Sequence, residues 1–260
     1  SAWDNMQRRT KTLLRTSEEY SDRKPAGLGR TPSGALGIFM TELLDKVAKD
    51  QKHSYSVMLI GHSMGSMVIN ELVNQYGTEL PPNLHFERIV FMAAACSVRD
   101  FERCVLPYLK EEKRCNFHNL TLHPVAERKE TFGAVVARGS LLQWIDIFYT
   151  NPHTVPDKVI GKAENFTLAA HDFPESVLGR IHFKVFSQGG SASDGRPLVE
   201  FARNPTAEEK ALSPGFMGAT HFPEWDGSGK GFGPQKHGQF NDLKLWDASF
   251  WKVHPHAPQR

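Results

Sequence analysis

The feature of this sequence that most constrains its fold is a short apolar run that ends at two closely spaced glycines. Residues 55–60 have no helical period and are bounded by a polar stretch and by Gly61, as expected for a strand that is buried on both faces. Beyond Gly65, apolar residues return at helical spacing as far as Gly77. The chain is therefore predicted to turn from a buried strand directly into a helix.

Ser63 lies in the middle of that turn, within Gly61-His62-Ser63-Met64-Gly65. A chain that changes from strand to helix within one residue holds this serine in a strained backbone conformation. Side chains at Gly61 and Gly65 are predicted to collide with the neighbouring strand and helix. The same turn lifts the serine hydroxyl away from the sheet and directs the N–H groups of the helix N-terminus toward any negative charge that develops beside it.

The rest of the chain alternates between strand patterns and helix patterns. Strands are predicted at residues 88–95, 117–122 and 181–186, and helices at residues 36–47 and 98–109. Pro107 is expected to shorten the second of these helices. Alternation of this kind indicates an α/β fold in which helices cover both faces of a parallel sheet.

Composition limits the kinds of protein that this chain can be. The 260 residues are 40% hydrophobic and 23% charged, which predicts one folded α/β domain over residues 1–260. The 31 basic residues are spread among 29 acidic ones, with a formal charge of +2, so no nucleic-acid binding is predicted. No apolar run approaches the ~18 residues that a transmembrane helix needs, so no transmembrane segment is predicted either.

The thiol and imidazole side chains show no recognisable metal site. Cys96, Cys104 and Cys115 have no metal-ligand spacing and are too few for a disulfide framework, so they are predicted to be reduced or buried thiols. This use of cysteine favours an intracellular setting, in the cytoplasm or an organelle. His254 and His256 make a poor metal site without a third ligand, so the tail is predicted to lie at the surface.

The turn and its flanks resemble the nucleophile elbow of the α/β-hydrolase superfamily. In that superfamily a serine, an acid and a histidine follow one another along the chain in that order. The resemblance covers about residues 30–252 and depends on the order of the elements. It implies that Ser63 is the catalytic nucleophile and that the backbone N–H of Met64 binds the oxyanion, with no metal or organic cofactor.

The resemblance also implies where the general base lies. Members of the superfamily carry their histidine in a loop after the last strand, and His237 follows the strand predicted at residues 181–186. The alternatives are His221 and the tail residues His254 and His256. The required chain order favours His237.

The acid is expected after the strand at residues 117–122. Glu127 lies within a few residues of that strand end, where an ionised carboxylate would orient the imidazole and stabilise its protonated form. It could equally pair with Arg128 or Lys129 on a solvated face. Asp157, in a turn-rich loop, is the second candidate, and Asp146, in an apolar stretch, is the third.

Residues 128–176 fit neither a strand nor a sheet-covering helix simply. By the resemblance, an insertion at this point, after the third predicted strand, forms a lid or an acyl-binding wall for hydrophobic substrates. Burial in the core is an equal alternative, because residues of these types in a dense run usually pack inward. The apolar residues concerned are Leu141, Leu142, Trp144, Ile145, Ile147, Phe148 and Tyr149.

The region before the serine turn departs from the superfamily pattern. Hydrolases of this kind carry several strands before the elbow strand, whereas only about fifty residues precede Tyr55 here, with one clear helix among them. We therefore expect the chain to be the C-terminal part of a longer fold. An upstream segment of the same polypeptide, or a partner chain, would then complete the sheet and supply a second oxyanion N–H.

Two functions of different classes fit the sequence. The first is a serine hydrolase that cleaves a carboxylic ester of a small-molecule or lipid-like substrate through an acyl-enzyme. The second is a catalytically inactive scaffold or interaction subunit of a larger assembly, in which the demanding turn is kept for structural reasons. The intact Ser63 and the well-placed His237 favour the enzyme, and the short region before Tyr55 favours the scaffold.

Overall fold

The structure is a computed structural model that describes residues 2–15, 34–122, 124–132, 137–150, 152–186, 234 and 236–242. Its described helices, in chain order, are α1 (Ala2–Thr12), α2 (Ala35–Lys49), α3 (Gly65–Tyr76), α4 (Val98–Glu111), α5 (Pro124–Lys129), α6 (Leu141–Trp144), α7 (Ala163–Ala170) and α8 (Glu175–Leu178). The described strands are β1 (Tyr55–His62), β2 (Leu84–Met92), β3 (Asn116–Leu122), β4 (Thr131–Phe132), β5 (Ala137–Arg138) and β6 (Ile181–Phe186). A π-helix (Ile145–Tyr149) continues directly from α6, and 3-10 turns lie at Val155–Asp157 and His237–Asp242.

Strands β1, β2, β3 and β6 form one parallel sheet, in that spatial order. Helices flank this sheet, and the short β4 and β5 pair antiparallel outside it. The predicted α/β architecture is therefore confirmed. Because the four strands are parallel, their carboxyl ends lie along one edge of the sheet, which is where ligands bind in open sheets of this class.

Helix α4 shows how local sequence sets the bounds of an element. Ser97 caps its N-terminus, accepting a hydrogen bond from the backbone N–H of Asp100, while the Asp100 carboxylate accepts one from the backbone N–H of Ser97. The predicted shortening at Pro107 is wrong, because the helix continues to Glu111. Burial of apolar residues on both sides of the proline offsets the hydrogen bond that proline cannot donate. Those buried residues are Val105, Leu106, Tyr108 and Leu109.

Aromatic rings fill the space between the sheet and the helices on one of its faces. The ring centroid of Phe117, on β3, lies 4.6 Å from that of Phe101 on α4, 5.1 Å from that of Phe91 on β2 and 6.3 Å from that of Phe166 on α7. Helix α7 therefore packs on the sheet as part of the connection between β3 and β6. The expectation that residues 128–176 contain no sheet-covering helix is wrong for this part, because Phe166 is fully buried against the sheet.

A return segment at residues 158–162 crosses the end of β2. The backbone N–H of Ile160 donates to the carbonyl of Cys96, at 2.9 Å, and that of Gly161 donates to the carbonyl of Ala94, at 3.0 Å. A Cβ atom on Gly161 would lie 2.2 Å from the backbone nitrogen of Ala94. Only glycine permits so close an approach, so this residue fixes the return segment against the carboxyl edge of the sheet.

Strand β1 is an edge strand of the described sheet. Tyr55 and Ser56 are exposed, and residues 57–60 are only half-buried. The predicted burial of this strand on both faces is therefore wrong, although the strand itself is confirmed and extends two residues further, to His62. Helix α2 also leaves apolar surface in solvent, since Ile38 is 49% exposed and Phe39 is 58% exposed.

The remaining predictions about elements concern bounds and membrane segments. The strands predicted at residues 117–122 and 181–186 are confirmed to within one residue, whereas that at 88–95 is shifted toward the N-terminus and lies at Leu84–Met92. Among the helices that the structure describes, none is long and apolar enough to cross a membrane.

Candidate active site

The backbone of Ser63 is held in a strained conformation at the end of β1. Its φ of 53° lies in the left-handed region, which non-glycine residues rarely occupy. The Ser63 N–H donates to the carbonyl of Met92, at 2.9 Å, and its own carbonyl accepts from the N–H of Ala95, at 3.1 Å. Ala93, between these two residues, also has a positive φ, of 42°. The predicted strain is confirmed, and it is maintained by hydrogen bonds to the chain that leaves β2.

Ser66 provides a second support for this turn. Its hydroxyl donates to the carbonyl of Ser63, at 2.7 Å, and accepts from the N–H of Cys96, at 3.2 Å. The side chain of Ser66 is fully buried, so solvent does not compete for these bonds. Sequence reasoning missed this residue, and the available signal was a small hydroxyl side chain in the first turn of the helix that follows the predicted nucleophile.

The two glycines that flank Ser63 differ in their surroundings. A Cβ atom on Gly61 would lie 2.7 Å from both the carbonyl carbon of Gly65 and a side-chain carbon of Ile69, so the predicted collision is confirmed there. A Cβ atom on Gly65 would meet no atom within 4 Å, so the collision predicted there is wrong. The close approach occurs where β1 passes over the first turn of α3, and the absence of a side chain at Gly61 is enough to allow it.

Met64 occupies the N-cap position of α3 and makes no side-chain capping bond. Its backbone N–H donates to no group among the residues that the structure describes. An unpaired N–H at a helix N-terminus, directly after the strained serine, is suited to bind a developing negative charge.

His237 lies against the residue that precedes Ser63. The ring centroids of His62 and His237 are 4.9 Å apart, and Nε2 of His62 lies 2.9 Å from the carbonyl oxygen of His237. The His237 side chain is buried, and neither of its ring nitrogens has a hydrogen-bond partner among the described residues. Burial, followed by the nearby His62, lowers the pKa of His237 to about 4, so its ring is neutral at physiological pH.

Glu127 is buried on α5, which directly follows β3. Only 2% of it is exposed, and neither carboxylate oxygen has a hydrogen-bond partner within the described part of the chain. Burial, with a smaller contribution from Glu130, raises the pKa of Glu127 to about 8. The alternative that Glu127 pairs with Arg128 or Lys129 on a solvated face is wrong, because Glu127 is buried, and Arg128 lies 3.5 Å from Glu164.

Asp157 lies in a different setting, at the surface. Its carboxylate accepts a hydrogen bond from the Thr154 hydroxyl, at 2.5 Å, and forms an ion pair with Arg99, at 2.7 Å. These two partners, Thr154 first, hold the pKa of Asp157 below its ordinary value. Its carboxylate is therefore ionised and engaged in surface contacts, with no contact to the His237 ring.

Asp146 serves a structural role. Its buried carboxylate accepts hydrogen bonds from the Val159 N–H, at 2.9 Å, and the Asn165 side-chain amide, at 2.8 Å, and lies 3.3 Å from the ammonium of Lys162. These bonds fasten the π-helix to the return segment. A carboxylate with this many partners is not available to orient an imidazole.

The other candidate residues add little to the site. His221, His254 and His256 lie outside the described residues. The three cysteines are free thiols, and burial raises the pKa of each of them to about 12, so the prediction of reduced or buried thiols is confirmed. Over the described ranges, no group of acidic, cysteine or histidine side chains could hold a metal ion.

Comparison with known proteins does not identify the chain. A scan against models of protein families, a search of curated proteins and a search of solved structures each found nothing that matches it. The case for a function therefore depends on the chemistry of the residues at the carboxyl edge of the sheet. Those residues are Ser63, Met64, Glu127 and His237.

Proposed function

We propose that the protein is a serine hydrolase with an α/β-hydrolase-like fold that cleaves a carboxylic ester. The observation that carries the proposal is the left-handed backbone of Ser63, with φ of 53°, between a parallel strand and a helix N-terminus. A strained backbone conformation persists only where several surrounding contacts hold it in place, and residues in such conformations cluster at active sites. Three hydrogen-bonding groups, from Met92, Ala95 and Ser66, hold this one.

The proposed reaction proceeds through an acyl-enzyme. The Ser63 hydroxyl attacks the ester carbonyl carbon while His237 takes the hydroxyl proton, and the Met64 N–H stabilises the oxyanion of the tetrahedral intermediate. His237 then gives this proton to the leaving alcohol. Water, activated by the same imidazole, hydrolyses the acyl-serine and releases the acid. No metal or organic cofactor takes part in these steps.

Glu127 is the proposed acid of this triad. Its carboxyl group and the His237 ring are both buried and both lack hydrogen-bond partners among the described residues, and unmade bonds of this kind are costly inside a protein. A hydrogen bond from the imidazole N–H to the carboxylate would satisfy both groups, lower the pKa of Glu127 and raise that of His237. Catalytic hydrogen bonds often form fully only when substrate is bound.

The exposed aromatic surface at residues 144–149 is the proposed acyl-binding wall. Ile147 is 53% exposed, Phe148 64% and Tyr149 47%, and the ring of Trp144 packs against that of Phe148 with centroids 4.6 Å apart. The neighbouring Leu142 and Ile145 are fully buried, so part of this run belongs to the core and only its exposed part is the proposed wall. An exposed apolar surface on an anchored π-helix favours a lipid-like or other hydrophobic ester as substrate.

The edge of β1 supports a further proposal about the sheet. Parallel sheets are normally covered on both faces, yet β1 is an edge of the described sheet and its residues other than Gly61 are half-buried or exposed. A further strand, from another part of the polypeptide or from a partner chain, would pair with β1. The same segment would supply the second oxyanion N–H.

The alternative function is that of a catalytically inactive scaffold or interaction subunit. The exposed edge of β1 favours it, as does the absence of a hydrogen bond between Ser63 and His237 among those of the described residues. A scaffold would keep the strained turn without using it.

Covalent labelling with a fluorophosphonate probe distinguishes these functions. The folded wild-type protein is expected to react, and Ser63→Ala is expected not to react, because a serine without an adjacent base is too weak a nucleophile. Ser56→Ala is the matched control, since Ser56 is an exposed serine on the same strand, and it should label as the wild type does. A folded wild-type protein that does not label would support the scaffold.

A further inference from the structure

The backbone of His237 is bound by side chains at both its N–H and its carbonyl. The N–H donates to both carboxylate oxygens of Glu130, each at 3.0 Å. The carbonyl oxygen lies 2.9 Å from Nε2 of His62. A carbonyl can only accept, so Nε2 of His62 carries the hydrogen and donates it.

These contacts join three parts of the chain that are distant in sequence. His62 is the last residue of β1, Glu130 directly follows α5, and His237 begins a 3-10 turn. The two side chains are half-buried, so water competes with the bonds only in part. A hydrogen bond to an ionised carboxylate is about twice as strong as one between neutral groups.

The bonding pattern of Glu130 differs from that of Glu127, three residues earlier. Both oxygens of Glu130 already accept from the His237 backbone, whereas those of Glu127 have no partner among the described residues. Glu130 is therefore the carboxylate that holds the His237 backbone, and Glu127 remains the proposed acid for its ring.

We infer that Glu130 and His62 are positioning residues that together clamp the backbone of His237 beside the nucleophile turn. Fixing both the N–H and the carbonyl fixes the Cα–Cβ direction, and with it the place from which the imidazole can reach the serine. Because His62 directly precedes Ser63, the clamp also ties the base to the strand that carries the nucleophile. This inference rests on the proposed function, and neither residue needs to touch the substrate.

The clamp is tested with two pairs of variants. Glu130→Ala and His62→Phe each remove one clamp bond, and misplacement of a catalytic group by about 1 Å can reduce turnover by up to about a hundredfold. We expect kcat to fall at least about tenfold in both variants while KM changes less than about threefold. Glu130→Gln keeps a carbonyl acceptor and His62→Gln keeps an N–H donor at similar reach, so both should recover kcat to within about threefold of wild type.

Hydrogen exchange separates failure of the clamp from failure of the proposed function. The His237 amide should exchange at least about tenfold faster in Glu130→Ala than in wild type, and slowly in Glu130→Gln, whether or not the protein is an enzyme. Unchanged exchange of the His237 amide in Glu130→Ala would overturn the clamp. So would a loss of kcat in Glu130→Gln and His62→Gln as large as that in Glu130→Ala and His62→Phe. If the His237 amide is protected in wild type but the protein neither reacts with the fluorophosphonate nor hydrolyses esters, the clamp stands and the hydrolase function is rejected.

Discussion

Gly61 and Gly65 flank the same serine but impose different limits on the chain. Gly61→Ala places a methyl group 2.7 Å from the backbone of α3, and overpacking of this kind costs about 1–3 kcal/mol of unfolding free energy. Gly65→Ala introduces a methyl group into open space at the start of α3, and alanine stabilises a helix by up to about 1 kcal/mol relative to glycine. Chemical unfolding of both variants is the measurement. Equal destabilisation would contradict the geometry of this turn.

Single substitutions also test which carboxylate is the acid of the proposed triad. Glu127→Gln cannot supply the charge that would stabilise the imidazolium once His237 pairs with this residue, so ester turnover is expected to fall by about 10³–10⁴-fold. Asp157→Asn should change turnover less than about threefold, because Asp157 is engaged by Thr154 and Arg99 at the surface. Steady-state kinetics of the two folded variants provides the comparison, and the opposite result would transfer the role to Asp157.

Glu127 should also make stability depend on pH. Its pKa is raised from an ordinary 4.5 to about 8, so between these values the native state binds more protons than the unfolded state. Stability is then greatest below pH 4.5 and falls as pH rises toward 8. Glu127→Gln stays neutral, so its melting temperature should exceed that of wild type at pH 8 and match it near pH 4, as thermal unfolding can measure. Identical curves would show that the carboxyl is paired or solvated.

At the scale of elements, periodicity predicted which segments are strands and helices better than it predicted where they lie in the sheet. Strand β3 was predicted to within one residue, as a short segment whose apolar residues lack helical spacing. Strand β1 has a more apolar run but lies at an edge of the described sheet, and the number of neighbours a strand has is not encoded in its own residues. The role of Glu130 could not be predicted, because its partner, the backbone of His237, is set by a tertiary contact.

The π-helix carries a prediction about the substrate. Phe148→Ala removes the most exposed ring of the proposed acyl-binding wall, so it should reduce kcat/KM for long-chain esters by about tenfold and leave acetate esters nearly unchanged. Leu168→Ala is the matched control, because Leu168 is an apolar residue of α7 that is 50% exposed. An equal loss for short and long chains in Phe148→Ala would argue against an acyl-binding role.

At the scale of the whole molecule, the described parallel sheet places residues that are distant in sequence along its carboxyl edge. Ser63 follows β1 and Glu127 follows β3, and the chain order of serine, acid and histidine was enough to predict which residues to compare. The sequence alone could not predict that the acid and the imidazole are both buried without partners among the described residues, since burial depends on segments that arrive from elsewhere in the fold.

The exposed edge of β1 predicts how the isolated chain behaves. Within the described sheet β1 is paired on one side only, and unpaired backbone groups beside half-buried apolar residues invite strand pairing between molecules, so residues 1–260 are expected to associate or precipitate. Light scattering combined with size-exclusion chromatography measures this, with catalytic activity followed in parallel. A soluble monomer near 29.2 kDa that hydrolyses esters would show that β1 needs no further strand.

The central claim is that Ser63 is a nucleophile activated by its surroundings, and mass spectrometry of the labelled protein tests it most directly. After reaction with a fluorophosphonate and proteolysis, we predict one modified peptide, with the phosphonyl group on Ser63, and no such adduct in His237→Ala, because the proton has no acceptor there. An adduct on a different serine, or equal labelling of Ser63 with and without His237, would contradict the account.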